Sequence, residues 1–293
     1  MKKSSPLVFF GTEDFSAASL QALIDSGWLI SAVVTKPDTK SGRGNKLSSP
    51  RVKQIAKSHN IPVWQPQKLL DILSELKALK PDYGVLVAYG KIIPQSIIDA
   101  FGGGIINVHP SLLPKYLGPA PIEAAILNGD HETGISLMSL IADMDAGPVY
   151  YQEAFGLSGH ENRIELTRSL AKRSAEVLVD KLPDIIDGKL SAKIQNELAA
   201  TYTKLIHKRD GAIDWTKPAV QLEREVRAYA GWPKSYTQVF GQNIIVSRAR
   251  IAKDSQAGTL VMPAGKSYLE ILELIGPSGR TMSGADFIRG YQS

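Results

Sequence analysis

Cysteine is absent from this chain. That excludes disulfides, a thiol nucleophile and every cysteine-bearing metal site, and cytoplasmic residence is the simplest setting for such a composition. Histidine is scarce as well. His59, His109, His131, His160 and His207 stand at no metal-ligand spacing from one another, so no metal is expected. His131-Glu132 and His160-Glu161 each begin like a zinc-protease helix but lack the second histidine, and both read as surface turns. Long apolar runs are missing too. Leu7 to Phe10, preceded by Lys2 and Lys3, stops at Gly11 and is followed by Glu13 and Asp14, which suits a first strand better than a leader peptide. No membrane partner is expected.

What is present is an ordinary soluble composition, 43% apolar and 22% charged, over 293 residues, a length that favours two domains. Leu7 to Phe10, Ile30 to Thr35, Val85 to Tyr89, Ile105 to Val108, Gly134 to Ile141 and Val149 to Phe155 read as strands, mostly buried on both faces. Helical patterns separate them. One covers Phe15 to Asp25; another opens with Ser49 as N-cap and Pro50 at its first position; a third covers Leu69 to Leu79, and a fourth is started by Pro119 and Pro121 and ended by Gly129. Asn162 to Asp187 forms a long amphipathic helix with a bend expected at Pro183. Strands alternating with helices predict an α/β fold with a Rossmann-like parallel sheet over residues 1–188.

The texture changes after a linker at 189–206. A helix from Pro218 to Ala230 precedes short strands at Tyr236 to Phe240, Ile244 to Ile251, Gly258 to Met262 and Tyr268 to Leu274. That spacing fits a small open β-barrel domain over 207–293, of which an OB-like β-barrel is one option. From Leu205 to Ser293 there are twelve Lys and Arg against eight Asp and Glu, most of the net charge of +5. Such an excess serves either solubility or a polyanion partner.

Two glycine-bearing stretches are not phosphate loops. Leu260 stands where the glycine opening a P-loop before Gly265-Lys266-Ser267 is required, and Ser41-Gly42-Arg43-Gly44 has no strand immediately before a helix. The latter is a loop with Lys36, Lys40, Arg43 and Lys46, either solvated surface or a basic finger. Gly102-Gly103-Gly104 reads as a tight turn before a buried strand.

The chemistry is concentrated elsewhere. Asn107-Val108-His109-Pro110-Ser111-Leu112-Leu113-Pro114 closes a strand, and side chains two apart on a strand share a face. Asp145 follows in Asp143-Met144-Asp145-Ala146-Gly147-Pro148. Acyl transfer to an amine needs an oxyanion donor, a group that handles the amine proton and something that fixes the imidazole. Asn107, His109 and Asp145 supply those three types.

These residues resemble the signature of the folate-dependent formyltransferases. Phe10-Gly11-Thr12, Lys36-Pro37-Asp38, Val87-Ala88-Tyr89-Gly90, Ile213-Asp214-Trp215, Leu222-Glu223-Arg224 and Trp232-Pro233 extend the likeness over nearly the whole chain, in the order and spacing of the branch that acts on methionyl-tRNA. The resemblance implies catalytic roles for Asn107, His109 and Asp145 and 10-formyltetrahydrofolate as co-substrate. It also implies a folate site from Leu86, Tyr89, Gly90, Ser111, Leu112, Leu113 and Pro114. Phe15, Arg43, Lys208 and Arg209 would meet the acceptor, initiator methionyl-tRNA, and a monomer is expected. Glu13, Pro110 and Leu117 depart from the family pattern; a positive charge is frequent at the position of Leu117. The chain ends at Ser293, which by the same comparison leads us to expect part of the last barrel edge to be missing or remodelled. The alternative acceptor is an amino sugar carried on a nucleotide, with the same donor. A silent RNA-binding protein would not need the Asn107, His109 and Asp145 set.

Overall fold

The computed structural model describes residues 6–41, 46–254 and 258–291. Arg43, with Gly42 and Gly44, lies outside them. The chain opens with β1 (Leu7–Gly11), α1 (Asp14–Asp25) and β2 (Ile30–Val34), then a hairpin of β3 (Thr39–Ser41) and β4 (Lys46–Ser48). There follow α2 (Arg51–Ser58), β5 (Val63–Trp64), α3 (Leu73–Leu79), β6 (Tyr83–Val87), α4 (Gln95–Ile98), β7 (Ile105–His109), α5 (Pro121–Asn128), β8 (Glu132–Ser139), β9 (Val149–Gly156) and α6 (Arg163–Ile186).

Seven of these strands form one sheet in the order β5-β2-β1-β6-β7-β8-β9. From β5 to β7 all pairings are parallel, and the strand direction reverses at β8, which runs antiparallel to β7. The expected parallel sheet is therefore extended by an antiparallel edge, a common addition to α/β sheets. The parallel core explains the composition of its strands: every residue of β1 and of β7 is buried, because helices cover both faces. Phe10, Tyr89 and Phe101 pack edge to face in this core, with centroids 5.8 and 5.9 Å apart from Phe10. Strand order reverses between β1 and β6, so the crevice at their carboxyl ends is a natural ligand position.

The start of α2 differs from the expectation. Pro50, not Ser49, is the residue before the first turn of α2, and no side chain caps that helix. The Ser49 hydroxyl instead donates to Asp38, 2.9 Å away. Asp38 also receives Lys53 and Gln65, an alternative that outcompetes the local cap. The hairpin of β3 and β4 had no periodic signal.

Beyond the linker come α7 (Ala219–Ala228), β10 (Ser235–Val239), β11 (Gln242–Ala252), β12 (Val261–Ala264), β13 (Ser267–Ile275), β14 (Thr281–Ser283) and α8 (Gly284–Tyr291). The five strands form an antiparallel half-barrel with β14 beside β13. Register shifts around Arg248 are bulge-like irregularities of the kind that increase strand curl. Its core gathers Val226, Val239, Ile244, Val246, Leu260, Ile271, Leu274 and Phe287. By contacts the chain divides into two compact units, residues 1–119, 134–155 and 167–203 in one and 120–133, 156–166 and 204–293 in the other. Helix α5 thus packs with α7 in the second unit. No helix among the described residues is long and apolar enough to cross a membrane.

Candidate active site

Strand β7 brings Asn107 and His109 to one face two residues apart, and both are almost fully buried, 4% and 5% exposed. Asp145 reaches both from the loop after β8. The Asn107 amide donates to one carboxylate oxygen at 3.3 Å, and His109 Nδ1 lies 3.6 Å from the other. The backbone N–H of Gly118 donates to that second oxygen at 2.8 Å. His109 Nε2 meets the Tyr116 carbonyl at 2.9 Å. A carbonyl only accepts, so Nε2 carries a proton, and in the neutral ring Nδ1 is then the free acceptor facing Asp145. A proton arriving at Nδ1 would face the carboxylate at once.

The loops that meet here hold unusual backbone. Tyr116 and Asp145 have φ of 62° and 51°, the left-handed region that non-glycine residues seldom occupy. Gly147 has no space for a side chain: an added Cβ would lie 1.8 Å from the Ser139 carbonyl oxygen. The Ser111 to Pro114 turn is fixed from β8 and β9. Ser136 donates to the Ser111 carbonyl and accepts from the Leu113 N–H, while Gln152 donates to the Leu113 carbonyl and to Ser136.

The structure gathers some of the expected site residues and separates others. Leu86 on β6 pairs in register with Asn107, which puts the folate candidates of that strand beside the polar cluster. Tyr89 is a core residue, 1% exposed, and burial raises its hydroxyl to about 12. Its hydroxyl meets no partner among the described residues, and the adjoining backbone at Ala88 and Gly90 turns left-handed. A Cβ on Gly90 would meet Lys36 Nζ at 2.5 Å, so the lysine lies against this segment. Ser111 is buried and bonded to the Lys115 carbonyl, Leu113 is buried, and Leu112 and Pro114 are half-buried. Phe15 is buried in the first turn of α1. Lys208 and Arg209 are exposed in a short 3-10 turn of the second unit. Leu117, where a charge is frequent, is buried against Leu113 and Met138. Burying such a side chain contributes about 1.5–3 kcal/mol relative to leaving it exposed. Tyr116, Gly118 and Gln195 are site-framing residues that sequence reasoning missed. The first two act through backbone, and Gln195 lies in the linker without periodic signal. Among the described residues no group of three or more acidic or histidine side chains could hold a metal.

Residues 5–182 match the family model described as Formyl transferase, and 205–292 match that described as Formyl transferase, C-terminal domain. A methionyl-tRNA formyltransferase of Chloroflexus aggregans is 38% identical over 98% of this chain and 97% of its own length. One of Pseudomonas putida is 39% identical over 96% and 94%. The chain belongs to the methionyl-tRNA formyltransferase family. Solved structures share the fold at lower identity. An N-formyltransferase of Helicobacter canadensis, complexed with folinic acid and dTDP-3-aminofucose, superposes with a TM-score of 0.70 at 17% identity, covering 90% of this chain and 97% of that one. HypX of Aquifex aeolicus in complex with tetrahydrofolic acid gives a TM-score of 0.66 at 15% identity over 99% of this chain. This chain spans about half the length of HypX, 47%. Family membership therefore rests on the curated relatives and the two matched models.

Proposed function

We propose that this protein transfers the formyl group of 10-formyltetrahydrofolate to the α-amine of methionyl initiator tRNA. The observation that carries the chemistry is the single carboxylate of Asp145 shared by Asn107 and His109. The acceptor follows from the curated relatives, whose names specify methionyl-tRNA over nearly their whole length.

The nucleophile is the substrate amine, so no covalent enzyme intermediate is needed. A free α-amine has a pKa of about 8, so a neutral fraction is available near neutrality. Its lone pair attacks the formyl carbon and the carbonyl π electrons move onto oxygen. Asn107 spends one amide hydrogen on Asp145 and keeps the other for that oxyanion. His109 adds a second donor when its Nε2–H turns from the Tyr116 carbonyl to the oxyanion. Asp145, through water, accepts the proton released by the amine, and it orients the imidazole once Nδ1 carries a proton. Collapse breaks the bond from the formyl carbon to nitrogen 10 of the folate, which takes up a proton as it leaves. The folate lies along Leu86 to Lys91 and the Ser111 to Pro114 turn, within a catalytic domain spanning 1–188. The tRNA is held by the Arg43 loop, Lys208, Arg209 and the domain spanning 207–293. The protein works as a monomer in the cytoplasm.

The deciding assay offers 10-formyltetrahydrofolate with methionyl initiator tRNA, with a nucleotide-linked amino sugar, or with water alone. Formyl on the methionine amine supports the proposal. Formyl only on the sugar, or only as free formate, overturns it.

A further inference from the structure

We infer that Gln195, in the linker, is a positioning residue that aims Asp145; the inference rests on the reading of Asp145 as a working group of the site. Gln195 Nε2 donates to the Asp145 carbonyl at 2.7 Å and to the Gly147 carbonyl at 2.8 Å. Two carbonyls two residues apart use both hydrogens of one amide, which also settles which end of the side chain is nitrogen. The loop they belong to is closed at its ends by the Ser139 N–H on the Pro148 carbonyl at 2.8 Å, but around Asp145 itself the bond from the Ala146 N–H to the Asp143 carbonyl is 3.4 Å long. A left-handed aspartate persists only where its surroundings over-determine it, and the Gln195 amide grips both sides of that residue's carboxyl-terminal peptides.

The same stretch of linker also fixes the opposite wall. The Thr201 hydroxyl accepts from the Tyr116 N–H at 2.8 Å, and the Leu117 N–H donates to the Thr201 carbonyl at 2.8 Å. The Thr203 N–H donates to the Leu117 carbonyl at 2.7 Å. Lys193 and Val149 exchange backbone hydrogen bonds of 2.8 Å each, anchoring the linker just before Gln195. One stretch of linker, turned by a short 3-10 helix at Glu197–Ala199, therefore ties both the Tyr116 to Gly118 loop, which receives His109 and donates to Asp145, and the Asp145 to Gly147 loop. The separation of those loops sets the distance from Asp145 to Gly118, and the placement of the Asp145 loop sets its distances to Asn107 and His109 on β7. Gln195 is the side chain that fastens the Asp145 side.

The test uses the purified full-length chain and steady-state kinetics with 10-formyltetrahydrofolate and methionyl initiator tRNA. Gln195→Met keeps the length and removes the donors. It should lower kcat by about ten- to a hundredfold, the scale of a misplaced catalytic group, with KM for both substrates within about twofold. Gln195→Lys, which restores donors at similar reach, should recover most of the loss. In an Asp145→Asn background, Gln195→Met should remove less than about twofold further, because residues acting as one unit are non-additive. Should the methionine variant not fold, Gln195→Asn, too short to span both carbonyls, carries the same expectations. A kcat within about twofold of wild type for these variants, an undiminished loss in the Asp145→Asn background, or no recovery with lysine would each overturn the inference. Failure of the underlying reading shows separately, as an Asp145→Asn enzyme with unchanged kcat.

Discussion

The amide of Asn107 donates to the carboxylate of Asp145 across 3.3 Å, joining the buried strand β7 to a loop 38 residues away in sequence. Because the carboxylate also faces His109 and accepts from Gly118, the four groups form one polar unit. Replacing Asn107 by alanine removes a donor without altering the strand. We expect kcat to fall on the order of a hundred- to a thousandfold, the usual cost of losing one oxyanion donor. Turnover near wild type in purified Asn107→Ala would exclude that role.

Gly147 tests the frame instead of the chemistry. An alanine there would force its Cβ to 1.8 Å from the Ser139 carbonyl oxygen, and because that atom is backbone, the Met138 side chain at 3.1 Å cannot relieve the clash by moving. The loop must move, and Asp145 two residues earlier moves with it. Gly147→Ala is expected to lower kcat at least about tenfold, by misplacement of a catalytic group, and to reduce the melting temperature. Unchanged kinetics and melting would show that this loop tolerates displacement.

The base of the Lys36 to Lys46 loop has its own anchor. Hydrogen bonds from Lys53 first, then Gln65 and Ser49, hold the Asp38 carboxyl at about 2, below its ordinary value of 3.8. A depressed carboxylate stabilises the fold fully above its unfolded pKa and loses that contribution as pH falls through the folded value. The melting-temperature gap between wild type and Asp38→Asn should therefore be constant above about pH 4 and close toward about pH 2. A gap that stays constant through that window would mean Asp38 contributes nothing through its charge.

Asn107 and His109 were legible because a period of two on a buried strand places them together whatever the details of the fold. Asp145 was legible as a residue type but not as a geometry. Its aim depends on Gly118, Gln195 and a left-handed backbone, and none of these leaves a pattern in the chain. The alternation of strands and helices revealed the parallel sheet. The antiparallel turn into β8 did not show, because a strand buried on both faces reads alike in either direction. Leu117 was read as a missing charge; its surroundings, Leu113, Met138 and the linker's Ala200, are what make an apolar residue fit.

Lys208 offers a charge-based prediction independent of the catalytic cluster. It is exposed in the second unit beside Arg209, whose side chain is 85% exposed. If both contact tRNA phosphates, apparent affinity for methionyl initiator tRNA falls steeply with added salt, since each neutralised phosphate releases a condensed counterion. Lys208→Gln should weaken binding at low salt and reduce the slope of log affinity against log salt by about one, with kcat at saturating tRNA unchanged. The Arg43→Gln variant should behave alike. Equilibrium binding at several salt concentrations measures the slope directly. A slope that stays at the wild-type value in both variants would place the tRNA path on other cations of the chain.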